Sequence, residues 1–90
     1  MLAEHSFTAV GRCPVDGCPD VYEVTVRASR VVFVEAILAA RDDLTAAPRT
    51  QEDFTVALAD RLGCQVETVG SHSGVRTRVV HGEISNGGES

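Results

Sequence analysis

Residues 5–28 read HSFTAVGRCPVDGCPDVYEVTVRA, and this stretch contains the two clearest strand patterns of the chain. Small or apolar side chains alternate with polar ones over about residues 5–13 and again over residues 22–28, with the period of two that is typical of a half-buried strand. Residues 13–20, between them, contain two prolines and a glycine, which favour a tight connection. The stretch therefore predicts two antiparallel strands joined by a rigid turn.

The hydrophobic period changes after this pair of strands. Phe33, Ile37 and Arg41 fall on one stripe of an amphipathic helix that runs to about Leu44. Pro48 cannot continue a helix interior, so it separates this helix from the next one.

A second helix has the strongest end signals in the chain. Thr50 and Asp53 resemble a capping box with aspartate in place of glutamate, and an apolar stripe follows over residues 54–62. Gly63 is then a natural C-terminal cap. These signals predict a helix from about residue 50 to residue 62.

Two further strands complete the pattern. Residues 64–69 and residues 75–80 alternate again, and Gly-Ser-His-Ser-Gly at 70–74 predicts the hairpin loop between them. We therefore expect a single α+β domain over residues 1–83 in the order ββααββ, with two helices on one face of a four-stranded antiparallel sheet. Residues 84–90 are polar and rich in glycine and serine, and we expect them to form a disordered tail.

Composition limits the class of protein. The chain has 90 residues, of which 43% are hydrophobic and 23% are charged, as in an ordinary globular domain. A domain this small buries little surface by itself, so we expect a homo-oligomer. The N-terminus lacks the pattern of a secretory signal and no apolar run is long enough to cross a bilayer, so we expect a cytoplasmic protein without a membrane partner.

The charge argues against nucleic acid as a partner. The formal net charge is −5, and the eight basic residues are all arginines that form no cluster. An acidic surface raises the electrostatic cost of approaching a phosphate backbone. We therefore expect a small-molecule ligand rather than a nucleic acid.

The turn at residues 13–20 contains two thiols and two carboxylates, which a connection between strands does not require. Cys13 and Cys18 could bind zinc with scattered histidines, form a reversible disulfide, or be small apolar residues of a structural turn. A fourth interpretation is covalent catalysis, in which a thiolate attacks an electrophilic carbon and a nearby acid supplies a proton. Asp20, an acid at the start of an apolar strand, is left unexplained by the purely structural interpretation.

The fourth interpretation has a specific counterpart. Residues 7–20 resemble the active-site segment of the 7-cyano-7-deazaguanine reductases, nitrile reductases of queuosine biosynthesis, whose pattern is Phe-Thr, a short spacer, then Cys-Pro-x-Thr-Gly-Gln-Pro-Asp. The residues that match in register are Cys13, Pro14, Gly17, Pro19 and Asp20. Val34-Glu35 and Glu52-Asp53 are similar to motifs on the family's two helices, and the resemblance extends to about residue 80. It implies the tunnelling fold (T-fold), whose unit is ββααββ.

The resemblance also implies roles for three residues. Cys13 resembles the nucleophile that adds to the nitrile and forms a thioimide, and Asp20 resembles the acid that protonates the nitrogen. Glu35 resembles the carboxylate that anchors the purine-like ring, since two acceptor oxygens suit the N–H donors of a guanine-type edge. The implied partner is a 7-deazaguanine-type, purine-like or pterin-like base.

Departures from the family pattern concern the cofactor. The family has Ser-Lys-Ser-Leu-Lys after its helix glutamate, a stretch tied to NADPH, whereas this chain has Ala36-Ile37-Leu38 and no lysine. Gln51 also replaces the family's histidine. The resemblance therefore implies thioimide formation without hydride transfer, with another nucleophile such as ammonia resolving it.

Two alternatives from other classes stay open at this point. One is a non-catalytic T-fold-like module that binds a base or serves assembly, so that the chain is not an enzyme. The other is a small interaction domain stabilised by zinc on Cys13 and Cys18. His72 lies between two serines, and we interpret it as a turn residue rather than as half of a catalytic dyad.

Overall fold

The computed structural model describes residues 1–84 and has the predicted order of elements. The bounds are β1 (Ala3–Arg12), β2 (Pro19–Ala28), α1 (Val34–Thr45), α2 (Gln51–Leu62), β3 (Gln65–His72) and β4 (Val75–His81). The ββααββ prediction is therefore confirmed.

The strands form one antiparallel sheet in the order β1-β2-β3-β4. The helix pair lies between β2 and β3 in sequence, although these two strands are neighbours in the sheet. The β1–β2 ladder continues to the pair Arg12↔Pro19, so β1 ends close to its predicted end and β2 begins nearer to the turn than the alternation indicated. Asp20, paired with Gly11, is thus fixed in a strand rather than in a loop.

The core lies between the helices and one face of the sheet. Phe54 and Leu58 of α2 and Ile37 of α1 are almost fully buried against Val24 and Val26 of β2. Both helices therefore cover the same face, as predicted. The opposite face of the sheet is mostly polar and includes an ion-pair network that extends across all four strands.

The predicted ends of α2 are confirmed. Thr50 is the N-cap, and its Oγ1 accepts a hydrogen bond of 3.1 Å from the backbone N–H of Asp53. Gly63 ends the helix with a φ of 65°, and its N–H donates a hydrogen bond of 2.8 Å to the carbonyl of Ala59. Arg30 donates a further bond of 2.6 Å to the carbonyl of Leu62, so α2 has satisfied groups at both ends.

The predicted five-residue hairpin loop at 70–74 is wrong. β3 continues to His72, and the turn consists of Ser73 and Gly74, whose φ angles are 52° and 81°. Two consecutive positive φ values are typical of the type I′ turn, which matches the twist of a hairpin. Gly70 looked like a turn residue in the sequence, but it belongs to the ladder and pairs with Tyr22. The change places His72 at the end of a strand.

One backbone hydrogen bond brings the start of α2 to the turn between β1 and β2. The N–H of Arg49, just before the Thr50 cap, donates a bond of 3.2 Å to the carbonyl oxygen of Arg12, just before Cys13. The first turn of α2 and Cys13 therefore lie on the same side of the domain.

The structure bears only in part on the predicted C-terminal tail and on the predicted lack of a membrane-spanning segment. Of the predicted tail at 84–90, only Ile84 belongs to the described residues, and the rest lies outside them. Within residues 1–84, neither helix is long and apolar enough to cross a membrane.

Candidate active site

The connection between β1 and β2 is a closed turn in which Asp16 has a structural role. The N–H of Cys13 donates to the carbonyl of Cys18 and the N–H of Gly17 donates to the carbonyl of Cys13, both at 2.9 Å. Asp16 Oδ1 accepts from the N–H of Cys18 at 2.9 Å. Gly17 has a φ of 75°, which L side chains rarely adopt, so a glycine is required there.

The two cysteines of this turn differ in environment. Cys13 is 8% exposed, whereas Cys18 is exposed. The negative charge of Asp16 raises the pKa of Cys18, so Cys18 has less of the thiolate that reacts. Asp16 itself has a lowered pKa, mainly because of the hydrogen bond from the Cys18 N–H. Cys13 is thus the thiol that the turn partly encloses.

Cys13 faces a half-open cavity of about 190 Å³, which we call the Cys13 cavity. This is smaller than the range of ~300–1,000 Å³ common for drug-sized ligands, and it suits a base-sized molecule. The polar or reactive residues that line it include Cys13, Asp20, Tyr22, Gln51, Glu52 and His72. They come from the turn, from β2 and β3 and from the first turn of α2.

Asp20 is held from two sides. The hydroxyl of Tyr22 donates a hydrogen bond of 3.4 Å to Oδ2 of Asp20. Nδ1 of His72 lies 3.7 Å from Oδ1 of Asp20, within ion-pair range. The Asp20 side chain is 15% exposed, so it is largely enclosed by the residues that position it.

Tyr22 is fixed by packing around its ring. The ring stacks on Phe54 with centroids 5.6 Å apart. Gly70 lies across from it on β3, where a Cβ would approach the Tyr22 Cδ1 atom to 2.9 Å. Burial, with a contribution from Asp20, raises the pKa of Tyr22 to about 12, so its hydroxyl stays protonated and donates at neutral pH.

Hydrogen bonds fix the orientation of the side-chain amide of Gln51. Its Nε2 donates to the carbonyl oxygens of Thr68 and Thr77, at 3.3 Å and 3.0 Å, and to Thr68 Oγ1 at 3.2 Å. Two backbone carbonyls can only accept, so the amide nitrogen must face them. Within residues 1–84 the amide oxygen of Gln51 accepts no hydrogen bond, which leaves it available to a donor in the Cys13 cavity.

A buried hydroxyl pair supports this orientation. Thr55 donates its proton to the Gln51 carbonyl at 2.7 Å, so in the 2.7 Å contact between Thr55 and Thr68 it is Thr68 that donates. Both threonines are fully buried, and each has its partners inside the network. Gln51, Thr55 and Thr68 therefore form one hydrogen-bonded unit, of which Gln51 lines the Cys13 cavity.

The structure brings together two of the three residues that the sequence singled out. Cys13 and Asp20 line the same cavity, whereas Glu35 is exposed in the first turn of α1 and is not among the lining residues that the structure describes. Glu52 has the equivalent position in α2 and does line the cavity. Sequence reasoning missed Glu52 and His72 as site residues.

Neither the family's NADPH stretch nor a set of zinc ligands has a counterpart in the described residues. Ile37, at the position of the family's cofactor stretch, is 2% exposed and part of the core, and no cationic side chain stands beside it in sequence. Over residues 1–84 no group of three or more His, Cys, Asp or Glu side chains is placed to hold a metal ion. The residues present do not fit either group.

The comparisons with known proteins agree with the geometry of the fold. The chain is similar to the crystal structure of the archaeosine synthase QueF-Like in the apo form, with a TM-score of 0.81 and 20% identity over 89% of this chain and 90% of that one. The fold is T-fold-like. No protein-family model matches the sequence, and no curated protein matches it. At 20% identity the similarity establishes the fold, and the fold prediction is confirmed.

Proposed function

We propose that this protein binds a 7-deazaguanine-type base with a nitrile substituent and adds Cys13 to that nitrile. The observation that carries the proposal is that Cys13 and Asp20, matched to a nitrile-processing motif in the sequence, line one base-sized cavity. The structural neighbour is an archaeosine synthase, which supports a ligand of 7-deazaguanine metabolism.

The proposed reaction needs no electron donor. The Cys13 thiol adds across the C≡N bond, so that a sulfur–carbon bond forms and the thiol proton reaches the nitrogen from the Asp20 side of the cavity. Ammonia then adds to the thioimide carbon and the sulfur–carbon bond breaks, which returns the thiol and leaves an amidine. This non-reducing sequence matches the departure in the sequence, where Ala36-Ile37-Leu38 stands in place of the family's cofactor stretch.

We propose Glu52 and Gln51 as the groups that hold the base. The Glu52 carboxylate offers two acceptors to adjacent N–H donors, and the Gln51 amide oxygen offers a third acceptor. All three are acceptors, so they favour a ring edge rich in N–H groups, as in a guanine-type heterocycle. This arrangement does not require Glu35 of the same chain.

Glu35 keeps its predicted role only if a second copy brings it to the cavity. The outer edges of β1 and β4 have no strand partner within residues 1–84, and edges of this kind are often closed by pairing subunits. We therefore propose a homo-oligomer, which light scattering on purified protein tests. A monomer at micromolar concentration would contradict the proposal.

Intact-protein mass spectrometry tests the reaction. Incubation with 7-cyano-7-deazaguanine should increase the protein mass by the mass of the base, because addition to a nitrile expels nothing. The adduct should be absent in Cys13→Ala and present in Cys18→Ala, the matched thiol of the same turn. Binding without an adduct would favour the non-catalytic base-binding module. If the base neither binds nor forms an adduct, the proposal is wrong.

A further inference from the structure

His72 is placed where a proton carrier for Cys13 is needed. It lies at the end of β3 and lines the Cys13 cavity together with the thiol. Its side chain is 60% exposed, so the ring is accessible from the cavity. His72 belongs to the β3 ladder, where it pairs with Val75, so its backbone is held in a strand rather than in a loop.

Asp20 sets the orientation of the imidazole. Nδ1 of His72 faces Oδ1 of Asp20 at 3.7 Å, and the Tyr22 hydroxyl holds the other carboxylate oxygen. A carboxylate beside Nδ1 favours the tautomer in which Nδ1 carries the proton. The Nε2 atom then has the lone pair, and no polar group within residues 1–84 pairs with it. The free nitrogen is therefore the basic one.

The surroundings of the ring are acidic on several sides. His72 is among the smaller causes of the lowered pKa of Asp16, whose main cause is the Cys18 N–H, so the imidazole is also close to the turn. The titratable groups that line the cavity together with His72 are Cys13 of the turn, Asp20 and Tyr22 of β2, and Glu52 of α2. Asp16 of the turn lies outside this lining and interacts with the imidazole through its charge. Within residues 1–84 no arginine and no second histidine lines the cavity, so an imidazolium formed there lies beside acidic or neutral groups.

We propose that His72 is a further catalytic residue, which takes the proton from the Cys13 thiol and relays it through Asp20 to the nitrile nitrogen. The balance is one proton: sulfur loses it to Nε2, Nδ1 passes a proton to Asp20, and Asp20 delivers a proton to nitrogen as the sulfur–carbon bond forms. The inference rests on the proposed function for the nitrile. Its first half, activation of Cys13, stands without any substrate.

Alkylation of Cys13 by iodoacetamide tests that first half. The rate is followed by mass spectrometry from about pH 5 to about pH 9 in a Cys18→Ser background, where Cys64 is 2% exposed and protected. We expect His72→Asn to slow alkylation at neutral pH about tenfold and to shift the pH profile upward, since each pKa unit of lost thiolate stabilisation is tenfold in rate.

His81 provides the matched control. Its Nε2 lies 3.5 Å from Asp60 Oδ1, a second histidine–aspartate pair whose members do not line the Cys13 cavity. His81→Asn should leave the alkylation profile unchanged, and circular dichroism should show that both variants are folded. An alkylation profile that is the same in His72→Asn as in the parent overturns the inference.

The rate of adduct formation with 7-cyano-7-deazaguanine tests the second half. We expect His72→Asn and Asp20→Asn each to slow it at saturating base while the base still binds, because both break the same relay. If the parent alkylates in a His72-dependent way but forms no adduct, the proposed function fails and the activation of Cys13 by His72 stands. If adduct formation is independent of His72, the relay is wrong and the proposed function survives.

Discussion

Gly70 and Tyr22 form a cross-strand pair in which the absence of a side chain on β3 makes room for the aromatic ring on β2. A Cβ at position 70 would lie 2.9 Å from Tyr22 Cδ1 and 3.2 Å from the carbonyl oxygen of Val21. The ring can neither tilt toward β3 nor leave its stack on Phe54 without loss of packing. The position of the Tyr22 hydroxyl on Asp20 therefore depends on a glycine one strand away.

Gly70→Ala is expected to destabilise the fold by about 1–3 kcal/mol through overpacking. It should also displace the Tyr22 hydroxyl, so the adduct should form more slowly. Gly11→Ala is the control, because a Cβ there meets the same ring at an ordinary 3.4 Å. Urea denaturation measures the free energy of unfolding of both variants. Equal stability of the two would contradict the claim that the Tyr22 ring needs a glycine at position 70.

Thr68→Val is expected to cost about 1–3 kcal/mol, because it removes the buried hydroxyl that accepts from the Gln51 amide and donates to the Thr55 hydroxyl, and leaves both groups with backbone partners alone. Binding of the base should weaken as well, since Gln51 loses part of its fixed orientation. Thr25→Val is the matched control, as Thr25 makes only an exposed contact of 3.4 Å with Ser6. If both valine variants unfold at the same urea concentration, the buried network is not what holds Gln51.

Glu67 should make stability depend on pH. Hydrogen bonds from Arg78 and Arg27 lower its pKa in the folded protein below the ordinary 4.5. A lowered folded pKa stabilises the fold above the unfolded pKa, and that contribution is lost as the pH falls through the folded value. Glu67→Gln should therefore reduce the free energy of unfolding at neutral pH.

The difference from the parent protein should narrow as the pH falls below about 4.5, where the unfolded-state carboxyl is already protonated. Glu23→Gln is the control, since Glu23 contacts only the Thr8 hydroxyl on the same face of the sheet. Urea titrations at neutral and acidic pH give the comparison. A pH-independent cost at position 67 would show that its ion pairs do not act through charge.

Glu52→Gln and Glu35→Gln separate the two candidates for ring binding. Both glutamates are exposed in the first turn of a helix, so both substitutions should have similar effects on helix stability. We expect Glu52→Gln to weaken binding of 7-cyano-7-deazaguanine roughly tenfold to a hundredfold, as is typical for a hydrogen bond to a charged group. Calorimetry measures the affinity.

The Glu35 result reports on assembly. An unchanged affinity in Glu35→Gln indicates a cavity completed within one chain, whereas a loss at both positions indicates that a second copy contributes Glu35. If Glu52→Gln binds as the parent does, Glu52 is not the ring anchor.

Local signals in the sequence were sufficient for the fold. The alternation over residues 22–28 and the Thr50 and Gly63 caps each depend on neighbours a few residues away, and each is present in the structure. The loop predicted at 70–74 is too long, because glycine and serine are common in turns and therefore favour a loop over the whole segment. Pairing of β3 with β2, together with the space that Tyr22 takes, decided that Gly70 stays in the strand.

The site was only partly accessible to sequence reasoning. Cys13 and Asp20 lie seven positions apart across one turn, so a local motif could predict their proximity. Glu52 and His72 reach the same cavity through packing of α2 and β3, and no spacing along the chain encodes that. One usable signal existed, since glycines within strand patterns indicate close approach of a neighbouring group, here the Tyr22 ring.

Carbon NMR with 7-cyano-7-deazaguanine labelled with ¹³C in the nitrile group tests the central claim most directly, because it follows the carbon that Cys13 should attack. We predict that the nitrile resonance is replaced, in protein with an intact Cys13, by a resonance in the range of trigonal carbon. Cys18→Ser should behave as the parent, and Cys13→Ser should keep the nitrile signal. A nitrile resonance that persists at saturating protein, broadened by binding or not, would contradict the account.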